Sequence, residues 1–142
     1  MKEKWIRMYL DIAMRVAQES HAVRLMVGAV FVSPDGVMSI GINGLPAGGD
    51  NVCEFRDGDE LKTKLTVSHA EENLISKLLR EGVSTKGGTV FLTHAPCIQC
   101  AKILVGSGIK HLYYMSKYRS EDGINWLKEN KIYVTRVEYA TI

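Results

Sequence analysis

Two short segments, Ser68-His69-Ala70-Glu71 and Thr93-His94-Ala95-Pro96-Cys97-Ile98-Gln99-Cys100, limit this chain more tightly than any other feature. The two-residue gap between Cys97 and Cys100 lets two thiolates from one helical turn grip a single ion, and His69 offers a third ligand from elsewhere. A structural zinc site is usually closed by four protein side chains, whereas a catalytic one keeps a position for water. Three ligands therefore point toward chemistry, and Glu71, two residues after the histidine, is a natural proton carrier.

The surrounding residues say where these groups belong. Pro96 suits the start of a helix, because its fixed φ fits there and its missing N–H has no partner to lose. Cys97 and Cys100 then fall in the first turn, where unpaired N–H groups and the helix dipole lower a thiol pKa and favour the metal-binding thiolate. Ser68 reads as the N-cap of a second helix through Glu71, Glu72, Leu74, Ile75, Leu78 and Leu79, whose first turn carries His69 and Glu71. Residues two apart diverge inside a helix but can both reach over its tip. The sequence thus predicts two helix N-termini converging on one Zn²⁺. Two thiolates and a neutral imidazole would cancel the charge of the ion and leave water there acidic enough to ionise near neutral pH.

The rest of the chain alternates in a readable way. Trp5, Tyr9, Ile12 and Val16 mark an amphipathic helix ending near Glu19 or Ser20, and Met26 to Val32 is a continuous apolar run expected as a strand buried on both faces. Ser33-Pro34-Asp35-Gly36 is a turn, which makes Val37 to Ile42 an antiparallel partner. Gly41 to Asn51 reads as a loop, and Glu54 to Lys64 as a solvated stretch without a motif. The His69 helix runs to about Glu81, where Gly82 stops it. Strand Thr89–Thr93, helix Cys97–Val105, strand His111–Met115, helix Glu121–Asn130 and strand Ile132–Val137 follow, and their alternation implies parallel neighbours joined by crossovers. The expectation is an α/β fold with a five-stranded mixed sheet, an N-terminal antiparallel hairpin and parallel later strands.

Length and charge narrow the partners. With 142 residues the chain is expected to form one domain, 1–142, large enough for its own core. The formal net charge of +2 comes from basic residues scattered among acids, which favours a small-molecule substrate over a polymer. With Cys97 and Cys100 committed to metal, Cys53 is left unpaired, which suits a reducing compartment. Met1-Lys2-Glu3-Lys4 leads into an amphipathic segment rather than a signal peptide, and no run is long enough to span a bilayer, so a cytoplasmic protein is expected.

H-x-E followed by P-C-x-x-C is the signature of zinc-dependent nucleobase deaminases. On these residues the chain resembles the cytidine deaminase-like superfamily, and within it the deoxycytidylate (dCMP) deaminases, over nearly its whole length. The resemblance implies a three-layer α/β/α arrangement and hydrolysis of dCMP to dUMP and ammonia, with dCTP as a further substrate. It also implies regulation by dCTP and dTTP and a homohexamer. The fork of Arg24 suits the 5′-phosphate of a substrate. The resemblance further implies that Asn43 in Gly41-Ile42-Asn43-Gly44-Leu45-Pro46 contacts sugar and base, that backbone at Ala70 holds the base, and that Tyr118 closes over the nucleotide. His94 is read as site architecture. Cys53 has no partner cysteine nearby, so one catalytic zinc is expected and not the second, structural one that some phage relatives carry. The chain has Pro46-Ala47-Gly48 where the family commonly has arginine after the proline, which removes one expected phosphate contact. Two alternatives stay open: a tRNA adenosine or polynucleotide cytidine deaminase of the same fold, and a zinc-stabilised binding module without catalysis.

Overall fold

The computed structural model describes residues 1–138. Along them run α1 (Glu3–Ala17), β1 (Gly28–Val32), β2 (Met38–Ile42), β3 (Glu54–Asp57), β4 (Glu60–Thr63), α2 (Ala70–Arg80), β5 (Thr89–His94), α3 (Ile98–Gly106), β6 (His111–Ser116), α4 (Asp122–Glu129) and β7 (Tyr133–Arg136). Five strands form one sheet in the order β2-β1-β5-β6-β7. β1 is antiparallel to both β2 and β5, whereas β5, β6 and β7 are mutually parallel. This is the mixed sheet the sequence predicts. The Ser33–Gly36 turn closes the first hairpin, with Gly36 at φ 88°, and α3 and α4 carry the chain back between the parallel strands.

The two faces of the sheet carry separate cores. Ala29, Phe31, Val90, Leu92 and Leu112 pack against Leu74 and Leu78 of α2, Leu104 of α3 and Leu127 of α4. Val30, Val32 and Phe91 point the other way, onto Leu10 and Ala13 of α1. Every residue of β1 is buried, as a strand covered on both faces must be. Each fully buried large side chain contributes roughly 1.5–3 kcal/mol, so these two cores are a large source of stability. Among the described residues, no helix is long and apolar enough to cross a membrane.

Three sequence expectations need correction. The stretch 54–64 is not featureless: β3 and β4 form an antiparallel ribbon, separate from the main sheet, with Glu54 opposite Thr63 and Asp57 opposite Glu60. Only Glu54 of β3 is buried, so apolar alternation is missing and the backbone ladder carries the pairing. Gly58, at φ 63°, takes the first loop position of a two-residue hairpin, where positive φ is needed. Second, β1 begins at Gly28, and Met26 is 45% exposed, because residues 25–27 are drawn into side-chain hydrogen bonds rather than into the ladder. Third, α1 ends at Ala17, beyond which Gln18, Glu19 and Ser20 tighten into i→i−3 bonds. Its buried stripe is Leu10, Ala13 and Ala17, with Trp5 at 44% exposure beneath the Lys4 ammonium. Small alanines face the sheet because the helix backbone lies close to it.

Gly41 of β2 sets how closely α2 can approach. A Cβ there would stand 2.6 Å from the Ala70 carbonyl oxygen and 2.8 Å from the Leu74 nitrogen, both helix backbone. Gly41→Ala is therefore expected to cost about 1–3 kcal/mol as the helix is pushed off the sheet. A lowered urea midpoint at constant m-value would report this loss, and an unmoved midpoint would mean that the helix has room to spare.

Candidate metal centre and active site

Helix α2 starts one residue later than Ser68 suggests. Ser68 exchanges both backbone hydrogen bonds with Gly44, donating and accepting at 3.0 Å, so it is held in a β-bridge and cannot cap the helix. His69 is the N-cap instead, at φ −70° and ψ 159°. The Glu72 carboxylate accepts its N–H at 2.8 Å, half of a capping box, which gives Glu72 a structural role at the start of the helix. One turn on, the Asn73 amide donates to the Ile42 carbonyl at 2.7 Å and Lys77 donates to that of Ile40 at 2.6 Å. The helix tip bearing His69, Ala70 and Glu71 is thus pinned to β2.

Pro96 is displaced in the same sense. Cys97 is the N-cap of α3, at φ −69° and ψ 170°, and Pro96 precedes it. The Ala95 N–H still bonds Ser116 at 2.8 Å, so the strand ladder reaches past β5, and the proline ends the strand rather than starting the helix. Cys100 lies in the first turn of α3 as predicted. Gly123 of α4 fixes the segment from outside, since a Cβ there would collide with the Pro96 and Cys97 carbonyl oxygens.

These two helix tips bring the predicted ligands together. His69 Nδ1 stands 3.3 Å from Cys100 Sγ and 3.5 Å from Cys97 Sγ, and all three ligand atoms lie within 4.8 Å of one another. Tetrahedral zinc with ordinary Zn–S and Zn–N bond lengths separates its sulfur and nitrogen ligands by about 3.5 Å, so the set fits the ion without rearrangement. Among the described residues, no fourth histidine, cysteine or carboxylate joins the cluster. The charge state suits a dication. A hydrogen bond from Cys100, with a second from His69, holds the Cys97 thiol down to about 3, and the same bond pushes Cys100 up. The His69 imidazole is raised chiefly by its hydrogen bond to Cys97.

Glu71 is 4% exposed, at the second position of α2. Burial pushes its carboxyl up to about 7, against the opposing pull of its own backbone N–H and of His69. His94 is half-buried, and desolvation lowers its imidazole below the usual histidine range. Its Nδ1 meets Thr93 Oγ1 at 2.8 Å, and that hydroxyl accepts the Gly28 N–H at 3.1 Å. Thr93 therefore ties β5 to β1, and His94 adjoins that link.

The remaining candidates lie around this centre at different removes. Ala70 is fully buried between His69 and Glu71. Asn43 lines a cleft with Gly44, Cys53 and Asn73, next to the Gly44–Ser68 bridge. Its Oδ1 accepts the Val27 N–H at 2.9 Å and its Nδ2 donates to Leu25 at 2.7 Å, which leaves one lone pair and one hydrogen for a ligand. Tyr118 lines a second cleft with Ala95, Lys117 and Ser120, and the Arg119 guanidinium sits 5.4 Å from its ring centroid. Arg24 is exposed, and its Nη1 donates to Thr63 on β4 at 3.1 Å. Cys53 is buried, with its thiol directed at the Asn51 carbonyl. Two polar residues that touch the Arg24 segment, Glu54 and Thr63, are missing from the sequence reading. The dipeptide Gly58-Asp59 between them is the two-residue hairpin signal that marks their stretch.

Comparison with known proteins agrees with this geometry. The family model described as the cytidine and deoxycytidylate deaminase zinc-binding region matches residues 3–116. The chain is 34% identical to the deoxycytidylate deaminase of Homo sapiens, over 84% of this chain and 69% of the human protein. It is 31% identical to the deoxycytidylate deaminase of Enterobacteria phage T4, over 77% and 76% of the two chains. ComE operon protein 2 of Bacillus subtilis is 35% identical over 82% of this chain, which spans 61% of that protein. The crystal structure of dCMP deaminase from the cyanophage S-TIM5 in complex with dCMP and dUMP superposes with a TM-score of 0.90 at 35% identity, covering 96% of this chain and 99% of that one. A structure from studies of tRNA:A34 deaminases, at 20% identity and a TM-score of 0.60, shares the fold.

Proposed function

This chain belongs to the cytidine and deoxycytidylate deaminase zinc-binding family, and from that premise we propose that it hydrolyses dCMP to dUMP and ammonia. The observation that carries the reading is the three-ligand cluster of His69, Cys97 and Cys100 with buried Glu71 on the same helix tip. His69 Nδ1 and the two sulfurs would hold one zinc ion. When bound, the zinc supplies Lewis acidity and makes water nucleophilic near neutral pH.

Glu71 does the proton work. Its carboxylate takes a proton from the attacking water as the C4–O bond forms and passes it to N3 of the pyrimidine; it then takes the remaining proton of the new C4 hydroxyl and delivers it to the amino group as the C4–N bond breaks. One water is consumed and one ammonia leaves. Backbone at Ala70 holds the base, the free amide valences of Asn43 serve the nucleoside, and Tyr118 covers it. The burial of Ala70 and Glu71 keeps bulk water from this end of the site.

The Arg24 guanidinium takes the 5′-phosphate. Among the described residues it has no carboxylate partner, and its side chain donates to the neutral hydroxyl of Thr63, so its charge is uncompensated. Arg24→Ala is expected to raise the KM for dCMP by about ten- to a hundredfold, the loss of one charge-assisted contact of about 1.5–3 kcal/mol. The KM for deoxycytidine should move far less, and equal effects on both substrates would remove Arg24 from the phosphate site.

The activity itself is tested by ammonia release from cytidine and deoxycytidine mono-, di- and triphosphates, with and without dCTP and dTTP. Release from dCMP is the expected result, dCTP being the second substrate to watch. Conversion only of a polynucleotide, with affinity falling steeply in salt, would overturn the assignment. The proposal extends to regulation by dCTP and dTTP, a homohexamer of the 1–142 domain and a cytoplasmic setting. Family membership supports the first two, and the unpaired Cys53 supports the last. Sedimentation with and without the triphosphates tests the assembly.

A further inference from the structure

We propose that Glu54, together with its cross-strand partner Thr63, is a positioning residue that aims Arg24. The inference rests on the reading of Arg24 as the phosphate contact. Between α1 and β1 the chain runs through residues 18–27 with no helix or strand of its own. Side chains take over its backbone hydrogen bonds. Ser20 Oγ accepts the Ala22 N–H at 3.2 Å and donates to the Asn43 carbonyl at 2.8 Å. Asn43 holds Leu25 and Val27. Glu54 Oε2 accepts both the Val23 N–H at 2.8 Å and the Arg24 N–H at 3.0 Å.

Glu54 is only 8% exposed, and among the described residues it has no ion-pair partner. A buried carboxylate is costly unless it is hydrogen-bonded, and here two hydrogen bonds reach it from the backbone that carries Arg24. Thr63 stands directly opposite Glu54 in the β3–β4 ribbon. A single cross-strand pair therefore grips Arg24 at two points, the carboxylate at the backbone N–H and the hydroxyl at the guanidinium. The negative charge is spent on peptide N–H groups, and the guanidinium is steadied by a neutral group. That division orients the cation without neutralising it, as a phosphate receptor requires. The ribbon buries too little to serve as core, and this grip gives it a task.

The test uses the full-length, zinc-loaded enzyme with dCMP and deoxycytidine as paired substrates. Glu54→Ala is expected to raise the KM for dCMP about tenfold, the loss of the hydrogen bonds that fix one contact, and that for deoxycytidine far less. Glu54→Gln presents an oxygen to the same two N–H groups and is expected to restore most of the dCMP KM. In the Arg24→Ala background, Glu54→Ala is expected to add no further change specific to dCMP. A parallel loss with both substrates, tracking a fall in Tm, would show a structural role and overturn the proposal. Thr63→Val, at an exposed ribbon position, gives the same reading should Glu54→Ala fold poorly; a dCMP KM left at the wild-type value in Thr63→Val, with Glu54→Ala unfolded, also overturns it. If Arg24→Ala itself leaves the dCMP preference intact, the phosphate reading of Arg24 has failed. If Arg24→Ala abolishes that preference and Glu54→Ala preserves it, only the positioning role has failed.

Discussion

A Glu71→Gln enzyme is expected to keep its zinc and its fold while losing turnover by about 10²- to 10⁴-fold, the usual worth of a positioned general acid–base group. Glutamine has the shape of glutamate, so a slot that leaves Glu71 4% exposed can take it with little repacking. What it lacks is a site that accepts and releases a proton at neutral pH. The neighbouring carboxylate cannot stand in, because Glu72 is bound to the His69 N–H as part of the helix cap. Metal analysis, thermal melting and ammonia release on the same preparation check this. A variant with bound zinc and near-wild-type deamination would assign the proton transfer to another group.

Loss of the metal is expected to abolish activity and leave the fold standing. Cys100→Ser should bring both zinc content and deamination to background, because a serine hydroxyl does not ionise at neutral pH as a zinc-ligating thiolate does. Chelation of the wild-type protein should do the same and be reversed by added zinc. Secondary structure followed by circular dichroism should survive both treatments, with a lowered Tm. The reason lies in the core: Phe31, Phe91, Leu92, Leu104 and Leu112 are fully buried by the sheet and its helices, away from the ligands. Small zinc modules that lack such a core unfold without their ion. Unfolding on chelation, with no nucleotide converted by the loaded protein, would favour a binding module over an enzyme.

The residues that make the centre were legible in the sequence because their message is local. A two-residue gap between cysteines is a chelate spacing in any fold that places it at a helix tip, and His69 with Glu71 repeats the device on a second helix. The central strands were legible for a related reason: the apolar run ending at Val32 and the β-branched Thr89–Thr93 can be satisfied only under cover on both faces. The positions of the caps were less so. Ser68 has the side chain of an N-cap, yet its backbone is claimed by Gly44, and Pro96 has the φ of a first helical residue, yet it follows a ladder that runs to Ala95.

By itself, then, the sequence determined which side chains could bind a metal, the order of helices and strands, and the parallel run of the later strands, all consequences of short-range spacing and hydrophobic period. Tertiary structure alone decided that His69 rather than Ser68 caps α2 and that Arg24 is held by Glu54 and Thr63. Those outcomes depend on hydrogen bonds between groups far apart in the chain, Ser68 with Gly44 and Arg24 with Glu54 and Thr63. No local pattern encodes such a pair, because its partners meet only after the sheet and helices have brought their segments together.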